Sequence, residues 1–248
     1  MKDYTIYHFS KRELLRYSGI ALPGSFIVFF LFYQSVRISF FLSLAGVPVY
    51  LFYQKKRMTE KIQWQMMLDF KDAMESFVSA LVAGYSMENA VSEAYRDMKL
   101  MKGKETPMLC ELGEIKKRLT LGETLDKLLL DLGRRSGVED IITFAQIYAT
   151  ARRSGGNLVK VMKRTAANIS EKVEIQREIR TAMAGKKMEA VCMMVIPLLI
   201  ILYLQIFSPG FLDPLYQGTG GRMYMTFFLL VYLAAVMWSR RIMKAAEK

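Results

Sequence analysis

Four blocks of apolar residues constrain this chain more than any other feature. They run from Ile20 to Tyr33, Ile38 to Tyr53, Ala190 to Phe207 and Met223 to Trp238. A helix needs roughly 17–25 mostly apolar residues to cross the hydrocarbon core of a bilayer, and each block is close to that length. The blocks predict four membrane spans arranged as two hairpins, the first closed around Gln34, Ser35, Val36 and Arg37.

A short apolar block can instead be a buried core helix or an interfacial segment, and charge decides between these readings. Of 35 Lys and Arg residues, only Arg37 and Arg222 fall in the hairpin tips. Lys11, Arg12, Arg16, Lys55, Lys56, Arg57, Lys186, Lys187, Arg240 and Arg241 flank the opposite ends of the blocks. Basic residues near span ends stay on the cytosolic side, so both termini and the long middle segment are expected in the cytosol. The net charge of +12 is then largely accounted for by orientation and by anionic lipid headgroups, and nucleic acid is not expected as a partner.

The expected organisation is a cytosolic N-terminal segment (1–18), a first transmembrane hairpin (19–53), a cytosolic helical domain (54–188), a second hairpin (189–238) and a cytosolic tail (239–248). A charged stretch precedes the first span and no small-residue cleavage site follows it, so a cleavable signal peptide is not expected. Cys110 is placed in the cytosolic domain and Cys192 in a span, which implies no disulfide framework.

The middle segment has helical periodicity. Met66, Met67, Phe70, Met74, Phe77, Val78, Leu81 and Val82 recur at the three-and-four spacing that draws one stripe along a helix, as do Leu158, Val161, Met162, Thr165, Ile169 and Val173. No stretch alternates with the period of two expected of a strand. Helix breaks fall at Gly84 with Ser86, at Gly103 with Thr106-Pro107, at Gly122 with Thr124, at Gly137, and at Gly155-Gly156-Asn157. The fold class is therefore all-α: a polytopic membrane protein whose two hairpins flank a bundle of about six helices. Three of the breaks share a pattern, Gly84-Tyr85-Ser86-Met87, Gly122-Glu123-Thr124-Leu125 and Gly156-Asn157-Leu158, in which a glycine shortly precedes the first apolar residue of a new stripe. A C-cap glycine followed by an N-cap accounts for that pattern better than a ligand-binding loop.

Catalytic machinery is not expected. Gly103-Lys104 and Gly185-Lys186 lack the upstream glycine and following hydroxyl of a phosphate-binding loop. His8 is the only histidine and precedes the first span, so a His-based zinc site or a Ser-His-Asp triad is not expected in the domain. The acidic pairs Asp69/Asp72, Glu111/Glu114 and Glu171/Glu174 are expected on exposed helical faces, and Glu139-Asp140 in the first turn of a helix. No catalytic residue, cofactor or metal is therefore assigned. A small transporter or a lipid-active membrane enzyme is the alternative class, but a transporter ordinarily shows ionisable residues near mid-membrane or broken helices around a site. The third span carries only Pro197 as an interruption and Gln205 as its main polar residue, with Glu189 at its cytosolic entrance.

Three stretches occur in order between the spans: Phe77-Val-Ser-Ala-Leu-Val-Ala-Gly-Tyr-Ser-Met-Glu-Asn-Ala90, Arg153-Ser-Gly-Gly-Asn-Leu-Val-Lys-Val-Met162, and Arg180-Thr-Ala-Met-Ala-Gly-Lys-Lys-Met-Glu-Ala190 leading to Pro197. With the flanking span pairs, they resemble the F-type inner-membrane platform proteins of type II secretion and type IV pilus machines, and within them the tight-adherence (Tad) B branch. The resemblance covers about residues 65 to 200, while the first hairpin matches in position and hydrophobicity. Many relatives carry a longer N-terminal region than this chain. The resemblance implies a platform that couples a separate hexameric secretion ATPase to the assembly of pilin or pseudopilin subunits, often with a second, Tad C-like platform protein and as a homo- or hetero-oligomer. It brings no catalytic residues.

On that reading, candidate partner contacts are Arg134, Arg135, Arg152 and Arg153, which cluster at helix ends beside the glycine breaks, together with Gly155, Gly156 and Asn157. Basic residues in a last helical turn also stabilise the helix terminus, which is the simpler account of the arginines. Pro197 and Gln205 are the candidate span features for pilin contact.

Overall fold

The structure, a computed structural model, describes residues 3–7, 9–154, 157–216 and 218–245. Its elements are α1 (Lys11–Tyr33), α2 (Val36–Val82), α3 (Met87–Lys102), α4 (Pro107–Thr120), α5 (Leu125–Ser136), α6 (Glu139–Ser154), α7 (Leu158–Phe207), the short α8 (Asp213–Tyr216) and α9 (Gly218–Ala245). No strand occurs among the described residues. The all-helical expectation holds, and α1, α2, α7 and α9 each contain a stretch long and apolar enough to cross a membrane. At most 11 % of any of those apolar windows is buried against the rest of the chain, which leaves their surface for lipid.

The chain divides into two compact units. The first comprises Met1–His8 and Lys55–Ile175, the second Phe9–Gln54 and Gln176–Lys248. Both α2 and α7 are continuous helices with residues in each unit, of 47 and 50 residues.

The first unit is a bundle of six helical segments: α3 to α6 with the C-terminal part of α2 and the N-terminal part of α7. Its helix boundaries follow the local chemistry. Ser86 accepts a hydrogen bond from the Asn89 amide and Thr106 one from the Leu109 amide, capping α3 and α4, and Pro107 occupies the first position of α4. Gly84, Gly103, Gly122 and Gly137 all adopt positive φ at the expected breaks, a conformation that costs glycine least. Glu139 and Asp140 begin α6, as expected.

Phe70 and Phe77 of α2 meet Phe144 of α6 edge to face, at centroid distances of 5.4 and 6.5 Å, in the middle of a core that includes Met66, Met98, Leu132 and Tyr148. Gly133 makes the approach of α5 to α6 close. A β-carbon there would lie 2.8 Å from the Ile142 side chain and 3.0 Å from its backbone.

Two acidic expectations are overturned. Asp69 is fully buried and Glu111 is 4 % exposed, so neither belongs to a solvated face. Each is buried because a cation from another helix neutralises it: Lys102 of α3 reaches Asp69 at 3.0 Å and Asp72 at 2.8 Å, and Arg135 of α5 reaches Glu111 at 2.6 Å. Burial disfavours the charge on Lys102, but the hydrogen bonds to Asp72 and Asp69 outweigh it and raise the ammonium above its usual range.

In the second unit Phe32 of α1 packs with Tyr216, Met225 and Leu229. Three polar groups beside this cluster pair with one another, as a lipid environment favours. The carbonyl of Leu31, in the last turn of α1, accepts from the Gln205 amide at 3.0 Å and from the Tyr216 hydroxyl at 2.7 Å. Gln205 also donates to the Tyr216 hydroxyl at 2.8 Å.

Candidate partner-binding surface

The apolar residues that open three of the helices meet in space. Met87 at the start of α3, Leu125 at the start of α5 and Leu158 at the start of α7 line one cleft of about 270 Å³, with Leu119, Tyr148 and Arg152. Each of the three is the first residue of its helix, so these helices start at the same end of the bundle. Exposed apolar groups stand on the same breaks, Tyr85 at 50 % and Leu121 at 74 %.

The arginines do not form one patch. Arg152, in the last turn of α6, pairs with Asp126 in the first turn of α5 at 2.8 Å and borders the cleft. Arg153 is exposed and donates from Nε to the Ala149 carbonyl at 3.1 Å, an interaction that also serves the C-terminus of its own helix. Arg134 and Arg135 lie at the far end of α5, about 14 Å along the axis from Asp126. Arg134 is exposed. Arg135 is part of the fold: it donates through two nitrogens to the two oxygens of Glu111, at 3.0 and 2.6 Å, and through Nε to Asp131 at 3.0 Å. The hydrogen bonds it donates to Glu111 hold its guanidinium above the usual range despite burial.

Asn157 caps α7, its side-chain oxygen accepting from the Lys160 amide at 3.0 Å. Gly155 and Gly156 lie outside the described residues. Gln205 is engaged with Leu31 and Tyr216, and Pro197 falls within α7, where it removes one backbone hydrogen bond. No group of three or more metal-ligating His, Cys, Asp or Glu side chains occurs among the described residues. Both cysteines are free thiols and exposed.

The sequence reading missed the N-terminal anchor. Tyr4 donates its hydroxyl to Glu111 at 3.2 Å, and burial, reinforced by that carboxylate, pushes its pKa up to about 12. An aromatic residue ahead of a charged, unpatterned stretch carries no periodic signal, so nothing local marked it.

The architecture is thus that of a multi-pass helical membrane protein with a folded helical bundle. Residues 73–206, more than half of the chain, match the family described as type II secretion system (T2SS), protein F. The chain belongs to that family. Comparison with curated proteins and with solved structures returned no match. Membership gives the chain a general role as a platform-type component of type II secretion or pilus machines, located in the inner membrane.

Proposed function

We propose that this chain is the inner-membrane platform of a Tad, type IV pilus or type II secretion-like machine, and that it couples a cytosolic secretion ATPase to pilin assembly. It has no enzymatic activity of its own and works beside a second, Tad C-like platform protein. Its apolar helices form two hairpins flanking the cytosolic bundle, with both termini in the cytosol.

The observation that carries this reading is the family match over residues 73–206, which takes in most of the helical bundle and the third apolar block. The helix α7 starts in the bundle at Leu158, beside the cleft, and ends at Phe207, the last residue of the third apolar block. The cleft end of the bundle is the ATPase-facing surface in this reading, with exposed Arg152 and Arg153 beside it and the apolar groups of Tyr85 and Leu121 available for burial.

The test is recovery of partners with the tagged full-length protein, solubilised from its own cells, and quantitative mass spectrometry. The expected result is co-recovery of a secretion ATPase and a second platform protein, with ATPase recovery reduced about tenfold by Arg152→Glu with Arg153→Glu, as for loss of interfacial charge pairs. Recovery of neither partner, under conditions that preserve other membrane complexes, overturns the reading.

A further inference from the structure

The segment ahead of α1 is fastened to the bundle. Asp3 and Thr5 close a local turn, Asp3 accepting from the Thr5 amide at 2.9 Å and from its hydroxyl at 2.6 Å. That turn presents Tyr4, which makes two long-range bonds. Its amide donates to the Arg135 carbonyl at 2.8 Å and its hydroxyl donates to Glu111 Oε1, while its ring packs against the core. Further on, the Tyr7 amide donates to the Thr59 hydroxyl at 3.1 Å. Tyr4 and Tyr7 therefore grip α2, α4 and α5, and the chain continues into α1, which begins at Lys11 behind a Ser10–Glu13 capping box.

Glu111 is the anchor of this arrangement. Its carboxylate is already paired with Arg135, so the Tyr4 hydroxyl meets an acceptor that is charged, oriented and nearly dry. Hydrogen bonds to charged groups are worth more than neutral ones, and here one bond rests on a buried ion pair. Tyr4, Tyr7 and Thr59 all lie outside the family-matched residues 73–206, whereas Glu111 and Arg135 lie inside them. The grip is an addition to the matched region.

We propose that residues 3–7 form a clip that couples the segment leading into the first span to the cytosolic bundle, so that displacement of the bundle is passed to the start of α1. The clip's docking follows from the contacts above. Its role in fibre assembly rests on the platform reading.

The experiment uses the full-length chain in native membranes, with Cys110→Ser and Cys192→Ser, and Tyr7→Cys with Thr59→Cys as a disulfide reporter under a mild oxidant. Rapid crosslinking is expected. Adding Tyr4→Ala slows it about tenfold or more, while Tyr4→Phe, which loses only the hydroxyl, slows it less. A crosslinking rate unchanged by Tyr4→Ala overturns the clip. A thermal midpoint measured on the same variants in detergent separates clip release from unfolding of the bundle, which is expected to stay intact.

In parallel, the Tyr4→Ala chain without reporter cysteines is expressed in cells lacking the native copy. Surface fibre is expected to fall several-fold at unchanged protein abundance, as for loss of a single strong polar anchor. Normal fibre with the crosslink lost overturns the coupling role. If the wild-type chain itself does not restore fibre, the platform reading fails and the coupling role with it, and the crosslinking rates still decide whether the clip exists.

Discussion

Glycine at position 133 is determined by a neighbour rather than by its own backbone. It lies in the last turns of α5, a place where alanine is a better helix former by about 1 kcal/mol. The packing reverses that preference, because an added methyl group meets both the side chain and the backbone of Ile142. Backbone atoms of a packed helix do not rotate away as a flexible side chain can. Gly133→Ala is therefore expected to destabilise the bundle by about 1–3 kcal/mol through overpacking. The check is thermal or urea denaturation of the purified full-length protein in micelles. Stabilisation by the alanine would show that α6 shifts freely and that the α5–α6 contact is not tight.

At the scale of elements, the bundle was legible wherever the signal was local. Gly84, Gly103, Gly122 and Gly137 punctuate the chain, and helices begin and end beside each of them. Signals that depend on distant partners were not legible. Nothing near Asp69 or Glu111 in the sequence announces that Lys102 or Arg135 will neutralise it, so both were placed on solvated faces. The same holds for Arg135, whose sequence context matches that of Arg134 beside it while the fold takes up only one of them in a buried pair. The α6–α7 junction is a local case again. Asn157 satisfies an otherwise unpaired amide at the start of α7, and Asn157→Ala is expected to cost about 1 kcal/mol. Asn157→Asp keeps an accepting oxygen beside the positive end of the helix and is expected to cost little. Comparing the two variants by thermal midpoint distinguishes a cap from a surface residue, for which neither change matters.

At the scale of the whole molecule, the apolar blocks and the charges around them carry independent information. The blocks say how many segments can cross, and four helices satisfy that requirement. The direction of crossing proposed above rests on the charges. Arg37 stands alone at the junction of α1 and α2, and Arg222 stands alone near the start of α9, whereas basic residues are dense at the other ends of the same apolar blocks, at Lys11, Arg12 and Arg16, at Lys55, Lys56 and Arg57, and at Arg240 and Arg241. Tyr53 and Arg240 make a cation–π contact at 5.2 Å, which suits a position at the headgroup level, where aromatic rings and cations are both favoured. The prediction is directional. In a Cys110→Ser, Cys192→Ser background, Arg37→Cys and Arg222→Cys react with a membrane-impermeant thiol reagent added outside the inner membrane. Lys104→Cys, in the connection between α3 and α4, reacts only once the membrane is permeabilised. The opposite pattern would place the bundle outside and remove any access for a cytosolic ATPase. Labelling of all three from one side would mean that an apolar helix pair does not cross, and the four-span topology would fall while the bundle fold stood.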